Sequence, residues 1–108
     1  MRVLFDQGTP VPLRQALLVE HDVHTVYERG WSQLQNGELL EAAERDQFQV
    51  LVSTDQNLKH QQSLDARAIG IVVLLTTSWP RIRRDLEAAV SAVNGARPGS
   101  YIEVAFES

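Results

Sequence analysis

Two short runs, QVLVS at 49–53 and GIVVLL at 70–75, are apolar through their middles with no alternation. A strand with one wet face alternates, because successive side chains point to opposite sides of the sheet. An unbroken run therefore predicts a strand covered on both faces, the condition of a parallel sheet flanked by helices. Three more segments read as strands. RVLF (2–5) is short and apolar, DVHTV (22–26) alternates and is rich in β-branched residues, and SYIEVAF (100–106) places Ile102, Val104 and Phe106 on one face, as an edge strand would.

The intervening segments carry helical patterns. Thr9-Pro10 reads as a cap and first position leading to Leu13 and Leu17. Asn36-Gly37 precedes GELLEAAERD, whose Leu39, Leu40 and Ala43 form an inward stripe. After Ser78-Trp79-Pro80, Ile82, Leu86, Ala89, Val90 and Val93 share one face of a single helix that stops at Asn94-Gly95. The stretch 56–69 is too polar to assign a helix. Alternating strands and helices predict an α/β domain with a mainly parallel central sheet of about five strands, covered on both faces by helices through right-handed crossovers. At 108 residues the chain suits one domain, 1–108.

The totals remove several functions. With no cysteine, thiolate catalysis, disulfides and Cys-based zinc sites are excluded, and a reducing cytoplasm is the compartment expected. MRVLFDQGTP lacks the apolar stretch of a secretory signal, and no run approaches a membrane span, so no membrane partner is expected. A net charge of −4 gives no global attraction to nucleic acid, so any such contact has to come from a local basic patch.

In a parallel sheet the carboxyl ends of the strands and the amino ends of the next helices share one edge, where ligands bind. That edge collects Asp6 after strand one, Glu38 at the start of the second helix, Asp55 just past strand three, and Thr76, Thr77 and Ser78 after strand four. Clustered carboxylates repel, and a cation neutralises them; Mg²⁺ takes oxygen ligands and keeps several waters. Each acid also has an ordinary reading: Asp6 in a turn before Gly8, Glu38 favoured by the dipole of a helix's first turn, Asp55 in a solvated turn.

Other residues fit a substrate. Arg81, Arg83 and Arg84 open the last helix, where positive charge opposes the dipole and a phosphate would relieve the conflict; arginine is also simply a good helix former. Lys59 and His60 follow Asp55 closely enough to contact a substrate or move a proton, or to be plain loop residues. Trp31 and Trp79 suit either base stacking or packing. His21, Asp22 and His24 supply too few ligands for a zinc site.

With MRVLFDQGTP, QNGELLEAAERDQFQVLVSTDQNL and IGIVVLLTTSWPRIR in this order, the chain resembles the PIN-like nuclease superfamily. More closely it is similar to short bacterial PIN-like ribonuclease toxins of toxin–antitoxin pairs. The resemblance implies a three-layer PIN-like fold and a divalent-metal-dependent endoribonuclease using Mg²⁺ or Mn²⁺. Asp6, Glu38 and Asp55 would be the catalytic metal ligands, with Asn57 standing where a fourth acid is often found and Thr54 as the hydroxyl preceding the third. Lys59, Arg81 and Arg84 would then meet the RNA. The resemblance also implies an antitoxin partner and, frequently, a homodimer. Asn57 carries no charge, which leaves open a second reading, a catalytically weak or inactive PIN-like binding module regulated by a partner. A phospho-accepting receiver domain is discounted, because Gln7 stands where a second acid belongs and the final strand, YIEVAF, has no lysine after it.

Overall fold

A computed structural model describes residues 1–61 and 63–106. Five strands, β1 (Arg2–Phe5), β2 (Asp22–Thr25), β3 (Val50–Ser53), β4 (Gly70–Leu74) and β5 (Tyr101–Val104), form one sheet in the order β2-β1-β3-β4-β5. Every pairing is parallel, with Leu4 opposite both His24 and Leu51, and Leu51 opposite Ile71. The sheet is thus wholly parallel, where the sequence indicated mainly so. Five helices accompany it: α1 (Leu13–Leu17), α2 (Val26–Arg29), α3 (Asn36–Arg45), α4 (Trp79–Arg84) and α5 (Leu86–Gly95).

Both uninterrupted runs are strands buried along their whole length, β3 and β4. Their alternate residues feed two separate cores. Val3, Phe5, Val50, Val52, Val72 and Leu74 point to one face, where they meet Leu13 and Leu17 of α1 and Ala89 and Val93 of α5. Leu4, Leu51, Ile71 and Val73 point to the other, where they meet Leu39, Leu40 and Ala43 of α3 and Leu58 of the loop after β3.

The faces fix the hands of the crossovers. The chain steps from β1 to β2 in one direction over the α1 face, then from β2 to β3 and from β3 to β4 in the other direction over the α3 face. Those three share one hand, and chains of L-residues take the right-handed one. The step from β4 to β5 continues the same way but returns over the α1 face, so its hand is opposite. The expectation of right-handed crossovers throughout is corrected at this point: α5 packs beside α1.

Three local readings change as well. Thr9 does not open a helix. It is buried, its hydroxyl donates to the Val52 carbonyl at 3.0 Å, and α1 starts later, after Pro12. The single last helix is two, broken at Asp85 (φ −142°, ψ 58°), whose carboxylate accepts from the Ala88 N–H to cap α5. The apolar face survives the break, which is why periodicity alone joined the halves. The unassigned stretch after β3 holds two 3₁₀ turns, Gln56–His60 and Leu64–Ala66.

Glu44 of α3 pins the second of these turns, accepting from the Ala68 N–H at 2.9 Å and from Arg67. Burial pushes its carboxyl up, but those two donors outweigh it and hold it below the usual range. A depressed carboxylate stabilises the fold above its unfolded pKa and loses that contribution as pH falls through the folded value. Glu44→Gln is therefore expected to cost about 1 kcal/mol at pH 7, a difference that shrinks to nothing well below pH ~4 in urea melts.

Candidate active site at the carboxyl edge of the sheet

The connections leaving β1 and β3 depart to opposite faces, which opens a crevice between the carboxyl ends of these two neighbouring strands. Asp6 follows β1 and Asp55 follows β3, so both stand at this point. One buried side chain joins them. Ser53, fully inaccessible at the last position of β3, donates its hydroxyl to Asp6 Oδ2 at 2.9 Å and accepts the Asp55 N–H at 3.0 Å.

Each carboxylate oxygen of the pair has one further constraint or none. Asp6 Oδ1 accepts the Gln7 N–H at 2.8 Å. Asp55 Oδ1 accepts the Asn57 N–H at 2.9 Å and Oδ2 accepts from the side-chain amide of Asn36, the first residue of α3, at 3.1 Å. A carboxylate oxygen offers about two lone pairs, so each of the four retains roughly one. Burial, foremost, holds the Asp6 carboxyl above its usual range; the Asp55 charge adds to this, against the hydrogen bonds from Ser53 and Gln7. Two partly buried carboxylates, one bonded to Ser53 and the other on a residue whose backbone N–H the same serine accepts, with Asp6 destabilised as an anion, make a site that gains from a cation or a proton.

The donor set suits a hard ion. It is all oxygen, and Mg²⁺ or Mn²⁺ is commonly held by one or two carboxylates with water completing the shell. Glu38 is not drawn into the pair. It is exposed, and its Oε1 accepts the Gln35 N–H at 3.1 Å in a reciprocal cap of α3, the structural role open to any acid in a first turn. Among the described residues no three of His, Asp and Glu are grouped closely enough to hold a metal ion. Asn36 rather than Glu38 carries the start of α3 to Asp55.

Asn57, Lys59 and His60 lie exposed on the 3₁₀ turn that Asp55 caps. Arg81, Arg83 and Arg84 are exposed on α4, which follows the carboxyl end of β4. Trp79 packs onto the α1-side core, and Trp31 meets Phe48 edge-on, so both indoles pack. His24 Nε2 lies 3.0 Å from Asp22 Oδ1 without hydrogen-bond alignment, and His21 bonds Asn94 at 2.6 Å.

Thr54 packs closely against the turn that carries Asp6. Its hydroxyl oxygen lies 2.7 Å from where a Cβ on Gly8 would sit, and Gly8 has φ +88°. Gly8→Ala is expected to cost roughly 1–3 kcal/mol from the left-handed backbone alone and to push the Asp6 turn off β3. Differential scanning calorimetry reads the first effect, and loss of the Asp6–Ser53 contact in amide shifts reads the second.

Sequence reasoning missed Ser53, Asn36 and a cavity of about 350 Å³ on the other side of Asp6, between the β1 loop, α1 and the start of α2. The signal for α2 was present, since Thr25-Val26-Tyr27-Glu28 with Gly30 behind it is a capping box with a left-handed glycine stop. Neither a family model, nor a curated protein, nor a solved structure matches the chain at a significant level.

Proposed function

We propose that the chain is a divalent-metal-dependent ribonuclease of the PIN-like kind, with Asp6 and Asp55 as its metal-binding pair. The observation that carries this reading is the convergence of two aspartates at the switch point between β1 and β3, where one buried serine bonds the Asp6 carboxylate and the Asp55 backbone N–H and both carboxylates keep lone pairs to spare. A bound ion supplies Lewis acidity and a more acidic water for phosphodiester hydrolysis. The chain supplies the rest. Ser53 and Asn36 fix the two carboxylates, Thr54 offers a hydroxyl at the rim, and Lys59, Arg81 and Arg84 hold phosphates along the same edge. Glu38 and Asn57 join, on this reading, as outer groups beside the pair. A toxin role in the cytoplasm with an antitoxin partner, and a homodimer, follow from the resemblance alone. No helix among the described residues is long and apolar enough to cross a membrane.

A second reading is favoured by one observation, the commitment of Glu38 to its own helix cap, which leaves two acids at the crevice. It makes the chain a partner-regulated binding module that takes a metal without cutting efficiently. Incubating structured and unstructured RNA with Mg²⁺ or Mn²⁺, native chain beside Asp55→Asn, separates the two. Cleavage that needs metal and is lost in the variant supports the nuclease. Equal cleavage by both sinks it, and metal binding without cleavage selects the module.

A further inference from the structure

We propose that the cavity beside Asp6 is a nucleoside subsite, holding one unpaired base of an RNA strand whose phosphate lies at the Asp6–Asp55 pair. The placement of the phosphate rests on the nuclease reading; the chemistry of the cavity stands apart from it. Asp6 belongs to both places, lining the cavity on one side and bonding Ser53 on the other. A strand whose phosphate meets the pair has its neighbouring nucleoside within reach of the cavity, whose volume of about 350 Å³ suits a group of that size.

The slot has an aromatic platform that nothing in the fold uses. Tyr27 lines it with 82 % of its surface exposed, beside Val11 at 57 %. The backbone that carries the platform is held in place. Thr25 Oγ1 accepts the Glu28 N–H at 3.1 Å, Glu28 Oε1 accepts the Thr25 N–H at 3.0 Å, and Gly30 (φ 75°) ends the helix. Arg14 then clamps Glu28 with two bonds of 3.0 and 2.9 Å while donating to the Val23 carbonyl at 2.7 Å. A solvated ring on a fixed backbone, in a slot also lined by Val11 and Val26, is what a base needs for stacking, a contact that every base makes.

The polar rim favours a base over an aliphatic side chain from a protein. The Thr25 hydroxyl proton is free to donate. The Glu28 carboxylate, with three bonds accepted, keeps about one acceptor site. A donor and an acceptor at the mouth of an apolar slot match the edge of a nucleobase. A leucine-like group would desolvate both and satisfy neither.

The test is binding of a fluorescent single-stranded hexaribonucleotide, and of a duplex of equal length, in EDTA so that nothing is cut. Tyr27→Ala is expected to bind the single strand on the order of tenfold more weakly, Tyr27→Phe to bind it as the native chain does, and the duplex to be indifferent to either change. Tyr27 is exposed, so both variants fold, as circular dichroism would confirm. Unchanged single-strand binding by Tyr27→Ala overturns the subsite, as does failure of the native chain to bind the hexamer. The two proposals separate cleanly. Tyr27-dependent binding without metal-dependent cleavage keeps the subsite and removes the nuclease, whereas cleavage with Tyr27-indifferent binding does the reverse.

Discussion

On the proposed nuclease reading, Asp55→Asn is expected to lower metal-dependent RNA cleavage by roughly 10²-fold or more while the chain stays folded. Loss of an outer-shell partner alone costs roughly 10- to 100-fold in metal affinity or activity, and Asp55 is here one of two carboxylates that the described residues bring to the switch point. The fold survives because asparagine keeps an oxygen for the Asn57 N–H, and the Asn36 amide turns over to present its carbonyl to the new NH₂. Calorimetry with Mn²⁺ checks the metal half without any cleavage: the native chain binds and Asp55→Asn does not. The same titration has a pH signature. Asp6 is held above the usual carboxylate range, so a proton competes with the ion at higher pH than an ordinary aspartate would allow. Affinity in the native chain is expected to fall as pH drops toward the acid range. Mn²⁺ affinity that is flat from pH 7 to pH 4 would remove Asp6 from the ligand set.

The second large effect is on stability. Ser53→Ala leaves the Asp55 N–H and Asp6 Oδ2 without their shared partner, at a position with no solvent access. An unsatisfied buried donor or acceptor costs about 1–3 kcal/mol, and water at the open side of the crevice returns part of that. A net loss of about 2 kcal/mol is expected, or roughly 10 °C in the melting temperature of a domain this size. Removing the hydroxyl also takes away a hydrogen bond that lowers the Asp6 pKa, so the carboxyl should titrate at still higher pH. The Asp6→Asn/Ser53→Ala double variant tests the link. Additive losses would mean the serine acts on the fold alone, and a coupling above about 0.5 kcal/mol would tie it to the carboxylate.

Residues whose burial is decided by two faces were legible from the sequence. QVLVS and GIVVLL read as β3 and β4 because no solvent side remained to be polar, and Leu39, Leu40 and Ala43 read as the inner stripe of α3 for the complementary reason. Asp6 and Asp55 followed from the strand ends. What stayed hidden depends on which partner a versatile group chooses. Thr9 has the chemistry of a helix cap but spends its hydroxyl on β3, and Glu38 has that of a ligand but caps its own helix. Asp85 breaks a helix without disturbing its apolar face. The hand of the last crossover leaves no trace in periodicity, since α5 shows the same stripe whichever side of the sheet it covers.

That reversed crossover shapes the approach to the crevice. With α5 beside α1, no α-helix among the described residues packs closely on the other face of β5, where Tyr101 bonds Glu103 at 3.0 Å and Glu103 is exposed. Burial, the Glu103 carboxylate and the charge of Asp55 together push the Tyr101 hydroxyl up to about 12, so it stays a proton donor at any physiological pH. Four strand spacings separate β2 from β5, a distance of roughly 19 Å. Along the sheet's carboxyl edge lie the Tyr27 slot, Asp6 and Asp55, while Tyr101 opens β5 at the amino end. The sheet therefore has unlike borders, with an aromatic slot beside β2 and one face of β5 that no α-helix among the described residues packs closely upon.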